Sequence, residues 1–374
     1  MLDGGTGSPD KLSSVMPEAR LYIEEDVEPA VALDRAQSMW RSVDPDCPVA
    51  MYGANLRGGD VWVLGAHQHV GQVLPAPQAL PGNATPPLVR RSSGGVMLRA
   101  SEGIVYVALA LRDRNALMPC PRARILNRNV RGALQGLRSA GIVAHYFGRD
   151  FLSVDARPAA YVGWASRLDG RVLLEFFLCD THSCFVSGRE LGYPARKDDP
   201  FRGKEAWTLE QAYFQTHHPP DAAPRIMRSA LAEHLAEGYR AGYQAEFRRS
   251  AIPEAWLASE ARPGLAPDPD AGALHWSHPI EEAIGFVSAG VALDSAGKLA
   301  RVRMCGDFFA DDNCAVTLER VLVGVAPSSD HIGRAVDAAY GQGGHDIEGV
   351  RDLRTFQTAI LDAVARARAP LAPS

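Results

Sequence analysis

From Asp26 onward, Ala32, Leu33, Ala36, Met39, Trp40 and Val43 recur at spacings of three and four. That spacing predicts an amphipathic helix with one apolar face, and Asp44-Pro45-Asp46 ends it. The period then shortens to two. VAMYGA (49–54) and VWVLGA (61–66) read as short strands separated by Arg57-Gly58-Gly59-Asp60, a hairpin turn. A proline-rich loop (75–87) leads into LVRRSSGGVMLRASEGIVYVALAL, which reads as strand, glycine turn, strand. In the last of these, Val105, Val107 and Leu109 alternate with Tyr106 and Ala108. Leu126, Val130, Ala133 and Leu137 mark a second amphipathic helix, with Gly141 placed as its C-terminal stop. IVAHYF, FLSVD and VLLEFFL are three further strand candidates, and Pro224 to Phe247 is helical again.

Pro253 to Ser277 is rich in Pro, Ala and Asp, the best boundary in the chain. Beyond it, IGFVSAGVAL and LARVRMCGDFF read as two strands joined by Asp294–Lys298. Three helices follow, carrying Leu318/Val321/Leu322, Ile332/Val336/Ala339 and Leu353/Phe356/Ile360. The expected division is a floppy tail over 1–19, a large unit over 20–255, a linker over 256–274 and a small C-terminal unit over 275–374. The expected class is α+β, with a mixed or antiparallel sheet carrying helices, followed by a compact α+β unit.

At 374 residues the chain suits two cores better than one. Its 46% hydrophobic and 22% charged content is ordinary for a globular protein. A net charge of −5 argues against a general nucleic-acid binder. Arginine supplies nearly all the positive charge; the lysines are Lys11, Lys197, Lys204 and Lys298. Six scattered cysteines form no CxxC pair, which points to reduced thiols and a cytoplasmic setting. No apolar run approaches the ~20 residues that span a bilayer, and the N-terminus has no signal-peptide core. No membrane or nucleic-acid partner is expected.

Two clusters could carry chemistry. In Arg90-Arg91-Ser92-Ser93-Gly94-Gly95, paired glycines let backbone approach a ligand closely, and the arginines can hold phosphate or carboxylate. The same pattern also suits a surface hairpin. In Cys179-Asp180-Thr181-His182-Ser183-Cys184, a thiol could act as nucleophile if His182 lowered its pKa. The plainer reading is two semi-buried thiols at a strand end. No second Cys/His pair completes a zinc site, so no metal ligands are assigned. His217-His218-Pro219-Pro220 reads as exposed loop, and Gly306-Asp307-Phe308-Phe309 as a strand-end packing motif.

In combination these segments resemble the lipoate–protein ligase branch of the biotin/lipoate ligase superfamily over nearly the whole chain. Arg90-Arg91-Ser92-Ser93-Gly94-Gly95 resembles the family's Arg-Arg-x-x-Gly-Gly-Gly turn, which holds an acyl-adenylate. Leu33-Asp34-Arg35-Ala36 is similar to its Leu-Asp-Glu-Ala helix, and Leu64-Gly65-Ala66-His67-Gln68 to its Leu-Gly-x-x-Gln strand end. The stretch 137–163 resembles the segment with the Gly-Arg-Asn-Asp and Lys-x-x-Gly motifs. Cys305-Gly306-Asp307-Phe308-Phe309, Leu318-Glu319 and Leu322-Val323-Gly324 are similar to the small accessory domain.

The resemblance implies a class II ligase-like mixed sheet and an apolar acyl tunnel with Arg90, Arg91, Ser93, Gly94 and Gly95 at its polar end. It implies roles for Arg149, Asp150 and Gly163 beside them. The activity implied is attachment or transfer of a lipoyl or octanoyl group to the lysine of a lipoyl carrier domain or H-protein. A ligase would use ATP and Mg2+ with lipoate or octanoate, and a transferase an acyl-carrier thioester. Related octanoyltransferases form a thioester on a cysteine, which here implies Cys184, with His182 as its base and Cys179 as the less favoured thiol.

The departures bear on activity. Ser93 and Val96 flank only two glycines, Arg99-Ala100 stands for a His-Asp pair, and Gly148-Arg149-Asp150-Phe151 has an aromatic at one polar position. Aligning on Gly163 puts Ala160 where the family's lysine stands, and no lysine lies between Lys11 and Lys197. Losing one preorganised charge-stabilising group costs about 2.7–4 kcal/mol of barrier. Arg157 and Arg167 flank the gap and are the nearest substitutes. The alternative is a non-catalytic relative that binds a lipoyl ligand or carrier domain.

Overall fold

The computed structural model describes residues 18–74, 86–186, 206–216, 228–243, 245–257, 273–341 and 345–369. The proline-rich loop (75–85 of it), the His217-His218-Pro219-Pro220 stretch, Lys11, Lys197, Lys204 and most of the expected linker lie outside these residues.

One sheet of eight strands organises the larger unit. Its spatial order is Glu246–Arg249, Glu18–Val27, Val49–Leu56, Ile104–Leu111, Val172–Cys179, Arg157–Ser166, Phe151–Val154 and His145–Tyr146. The first three are mutually parallel and the other neighbours antiparallel, so the sheet is mixed. Val49–Leu56, Ile104–Leu111 and Val172–Cys179 are buried at every position, as central strands covered on both faces are. Helices Ile125–Ser139 and Arg228–Tyr243 lie on one face. There a Cβ at Gly53 would strike Ala232, and one at Gly136 would strike the His234 carbonyl, so the backbones are in close approach. The other face carries helix Pro29–Ser42 and a small sheet, in which Val61–Leu64 lies between Leu88–Arg90 and Leu98–Ala100.

Several sequence expectations need correction. Val49–Leu56 and Val61–Leu64 are not a hairpin. Both edges of the first are taken by Glu18–Val27 and Ile104–Leu111, which leaves no ladder for a third partner. Strand Glu18–Val27 begins inside the stretch expected to be a tail. Strand Arg157–Ser166 escaped the periodicity reading because Pro158-Ala159-Ala160 are weak strand formers.

In the C-terminal unit, Phe286–Leu293 pairs antiparallel with Leu299–Gly306. The Asp294 carboxylate accepts the amides of Ala296 and Lys298 in the connecting turn, where Gly297 has φ +75°. Helices Cys314–Leu322, Ser329–Tyr340 and Arg354–Arg368 close a second core around Val287, Met304, Phe308, Ile332, Phe356 and Ile360. Phe309 and Ile284 pack into the first core instead, which stitches the two units together. Among the described residues, no helix is long and apolar enough to cross a membrane.

Candidate functional site

The Arg90–Gly95 turn follows the central strand's parallel neighbour in the small sheet and lies against the large sheet. Arg91 is 1% exposed, and all three of its guanidinium nitrogens are used within the protein. Nε donates to Ser93 Oγ (3.2 Å), Gly94 O (3.1 Å) and Tyr161 Oη (3.1 Å). Nη1 donates to Val63 O (3.1 Å), and Nη2 to Gly94 O and to Val96 O (2.7 Å). The Tyr161 ring lies beneath the cation, 4.3 Å from its centroid, and the hydroxyl donates to Gly94 O (2.6 Å). The buried Glu175 carboxylate accepts the Ser93 amide (2.6 Å) and the Tyr106 hydroxyl (2.7 Å). Arg91, Ser93, Gly94, Tyr161 and Glu175 therefore form a closed polar knot.

The paired glycines serve this knot. A Cβ on Gly94 would lie 1.9 Å from Phe308 O, and Gly95, at φ +83°, donates its amide to Asp307 O (3.0 Å). Backbone approaches closely as expected, but what approaches is the C-terminal unit. The space beside the glycines is taken by Tyr161, Phe308 and Phe309. Gly163 also faces Tyr161, whose hydroxyl would be 2.0 Å from an added Cβ.

Arg90 is a strap rather than a free cation at the tunnel end. Its Nη1 donates to the carbonyls of Gly65 (2.8 Å), Ala66 (3.2 Å) and Gln68 (2.6 Å), fixing the turn that carries His67. Gln68 in turn donates to the Asp307 carboxylate (2.6 Å). Asp150 is buried with one carboxyl oxygen unpartnered, and burial raises its pKa, opposed by backbone hydrogen bonds and by Arg149 and Arg91. The Nε of neighbouring Arg149 is likewise buried without a partner.

Strand alternation settles where Ala160 points. Ala160 pairs with Leu178, and Phe177 with Tyr106, so Tyr161 shares the Phe177 face that carries the knot. Ala160 lies on the opposite face, with Phe176 and Leu178, and is 0% exposed. A side chain at 160 thus faces the helix layer, away from Arg91.

The expected Cys184–His182 pair does not form. Residues 180–182 bend instead of running extended, so the chain folds back and the Cys184 amide donates to Cys179 Sγ (3.2 Å). Both thiols are free and buried with sulfurs 3.4 Å apart, and burial drives the Cys184 thiol well above its ordinary range. His182 Nδ1 meets Thr181 Oγ1 (3.2 Å), and its ring packs over Gly103. A neutral buried thiol without a base is a poor nucleophile.

Open space lies on the outer side of the knot. A cleft of about 350 Å³ runs between the units, lined by Gln37, Trp40 and Arg41 from the first helix, Ala66, His67, His69 and Ser92 from the small sheet's loops, Arg167 beyond strand Arg157–Ser166, and Met304, Ala310, Asp312, Ala315 and Val316. Two lining side chains carry buried polar atoms without partners, Trp40 Nε1 and His67 Nε2, and Arg167 Nε makes no hydrogen bond and only a 3.6 Å ion pair with Asp169. His67 stacks on Phe308 (4.6 Å, 7° between planes), and burial followed by the Arg90 charge pushes its pKa down to about 4, so the ring is neutral. Gln37 donates to Ser92 Oγ (3.0 Å), tying the helix to the turn. Sequence reasoning placed Trp40 on the helix's core face and passed over Gln37, Arg41 and Asp312. The signal available was the polar pair Gln37/Arg41, one turn apart and flanking a tryptophan.

The fold has counterparts among solved structures. P. falciparum LipL1 in complex with lipoate superposes with a TM-score of 0.59 at 10% identity, covering 92% of this chain and 99% of that one. Lipoate-protein ligase A bound with ATP matches at TM-score 0.49 and 13% identity, covering 64% of this chain and 92% of that one. The bipartite lipoate protein ligase of Thermoplasma acidophilum matches at 0.47 and 15%, covering 65% and 90%. No protein-family profile and no curated protein matches the sequence. The chain therefore has the fold of the lipoate/biotin-ligase-like family over nearly its whole length.

Proposed function

We propose that this protein handles a lipoyl or octanoyl group, attaching or transferring it to the lysine of a lipoyl carrier domain, and that the acyl ligand's polar head occupies the interdomain cleft. The observation that carries this reading is the pair of unpartnered buried polar atoms on the cleft wall, Trp40 Nε1 and His67 Nε2. Buried polar groups are mostly satisfied, so two unsatisfied ones beside one cleft suit a polar ligand there. The volume is within the ~300–1,000 Å³ of small-molecule clefts. The fold shared with LipL1, solved with lipoate, supports the acyl class.

The residues divide the work. Ser92 and the neutral His67 offer hydrogen bonds to the head group, and Met304, Ala310, Ala315 and Val316 supply an apolar wall that excludes water from it. The Arg91 knot holds the Ser92 turn and the C-terminal unit in register. ATP, where used, would supply activation of the acyl carboxylate as an acyl-adenylate. Among the described residues, no group of three metal-binding side chains is arranged to hold an ion, so no step is assigned to magnesium.

A second reading, non-catalytic binding of a lipoyl ligand or carrier domain, is favoured by one observation: the face of strand Arg157–Ser166 that meets the knot presents Tyr161 and no lysine. Mass spectrometry of a lipoyl carrier domain incubated with the protein, lipoate, ATP and magnesium separates the two. The first reading expects acylation of the carrier. Binding of carrier or lipoate without a mass gain would establish the second, and neither binding nor gain would refute both.

A further inference from the structure

We propose that Arg41 and Arg167 form an anion-binding end of the interdomain cleft. The assignment rests on the acyl-handling reading above. It names the chemistry of the group held there: the carboxylate of the free acid or the phosphate of its adenylate.

The other cations near the turn are already committed. Arg91 spends all three nitrogens on carbonyls and hydroxyls of its own knot, and Arg90 spends Nη1 on three carbonyls. Arg157, one of the two arginines flanking the lysine gap, stacks on Trp207 with its guanidinium 4.8 Å from the ring centroid. Lys298, the one lysine among the described residues, closes the Asp294–Lys298 turn of the C-terminal unit. Position 160 faces the helices.

Arg41 and Arg167 differ from all of these. Arg41 is exposed in the last turn of helix Pro29–Ser42; its one side-chain hydrogen bond is a long contact to Gln37 (3.4 Å), and it makes no ion pair among the described residues. Arg167 lies over the Trp40 ring at 5.6 Å, with Nε buried and without a hydrogen-bond partner. The carboxylate nearest to it is the solvent-facing Asp169 at 3.6 Å, which screens it only weakly.

Their placement is also fixed. The Arg167 amide donates to Arg171 O (2.9 Å) and Gly170 donates back to Arg167 O (2.9 Å), so a tight turn anchors the backbone. Trp40, 5% exposed, adds an indole N–H that also lacks a partner. Two guanidinium groups whose polar contacts are long (3.4 Å to Gln37, 3.6 Å to Asp169) and an unpartnered indole N–H line one cleft, an arrangement whose donors an oxyanion would engage at shorter range. Asp312 lies beside Arg167, its amide donating to Ser166 O (2.9 Å), and burial raises its carboxyl pKa against the pull of the Arg167 charge.

The test is a calorimetric titration of the full chain with lipoate and, separately, with a non-hydrolysable acyl-sulfamoyl analogue of the lipoyl adenylate. Arg167→Ala and Arg41→Ala should each weaken the analogue roughly ten- to hundredfold, with Arg167→Lys losing less than Arg167→Ala and Arg157→Ala binding as wild type. An equal loss for lipoate would assign the subsite to the carboxylate, and a loss confined to the analogue to the phosphate. Wild-type affinity in both alanine variants, with melting unchanged, would overturn the assignment and leave the acyl reading standing. A wild type that binds neither probe would overturn that reading, and this assignment with it.

Discussion

Arg91 illustrates how a motif residue can keep its position and change its work. The Arg-Arg-x-x-Gly-Gly pattern located the turn beside the cleft, but polarity alone could not reveal that Arg91 would be consumed by carbonyls of its own chain. That outcome depends on Tyr161, seventy positions away and without a distinguishing pattern of its own. Arg91→Ala would take the side-chain donor from the carbonyls of Val63 and Val96 and leave Gly94 O with Tyr161 alone. A stability loss of roughly 3 kcal/mol or more is expected in urea unfolding, and a loss under about 1 kcal/mol would contradict the knot. Ala160 carries the opposite lesson. Aligned on Gly163 it is the lysine position, yet strand alternation turns it toward the helices. Ala160→Lys should lower the melting temperature by burying a charge and should not raise carrier acylation. A stable variant with increased acylation would show the face assignment to be wrong.

At the level of elements, helices with strong 3.6-residue periodicity were legible in the sequence: Ile125–Ser139 and the three C-terminal helices stand where their apolar stripes put them. Strand partnership was less so. VAMYGA and VWVLGA are adjacent in sequence but belong to different sheets, because distant strands take both edges of the first. The glycine turn shows a similar nonlocality. Gly94 has no Cβ because Phe308 O of the C-terminal unit occupies that space. Gly94→Ala should therefore destabilise by about 1–3 kcal/mol, the usual effect of overpacking, and should loosen the C-terminal unit from the turn. Differential hydrogen exchange at Gly306–Phe309 reports this directly, and protection equal to wild type there would be evidence against the contact.

Across the whole molecule, the two units are joined by carboxyls that prefer to be neutral. Asp307 accepts from Gln68, and burial, with the nearby Asp150 charge, raises its pKa to about 7. Glu348 accepts from Trp164 Nε1 (2.7 Å) across the same junction, and burial raises it to about 7 as well. Their ordinary values are 3.8 and 4.5, so the folded state binds more protons than the unfolded state between about pH 4 and 7. Their stabilisation is complete below that window and fades as pH rises through about 7. Thermal melts should show less of the interdomain contribution at pH 8.5 than at 5.5, and Asp307→Asn should flatten that slope. An unchanged slope in the variant would remove Asp307 from the account.

On the proposed reading the acyl ligand sits between the units, outside the Arg91 knot, and hydrogen–deuterium exchange with and without the acyl-sulfamoyl analogue checks that placement. Protection should appear on both walls together, at Gln37–Arg41, Ala66–His69 and Ser92 on one side and Met304–Val316 on the other, with none along the exposed edge strand His145–Tyr146. Protection confined to segments away from the cleft, or on one wall alone, would contradict it.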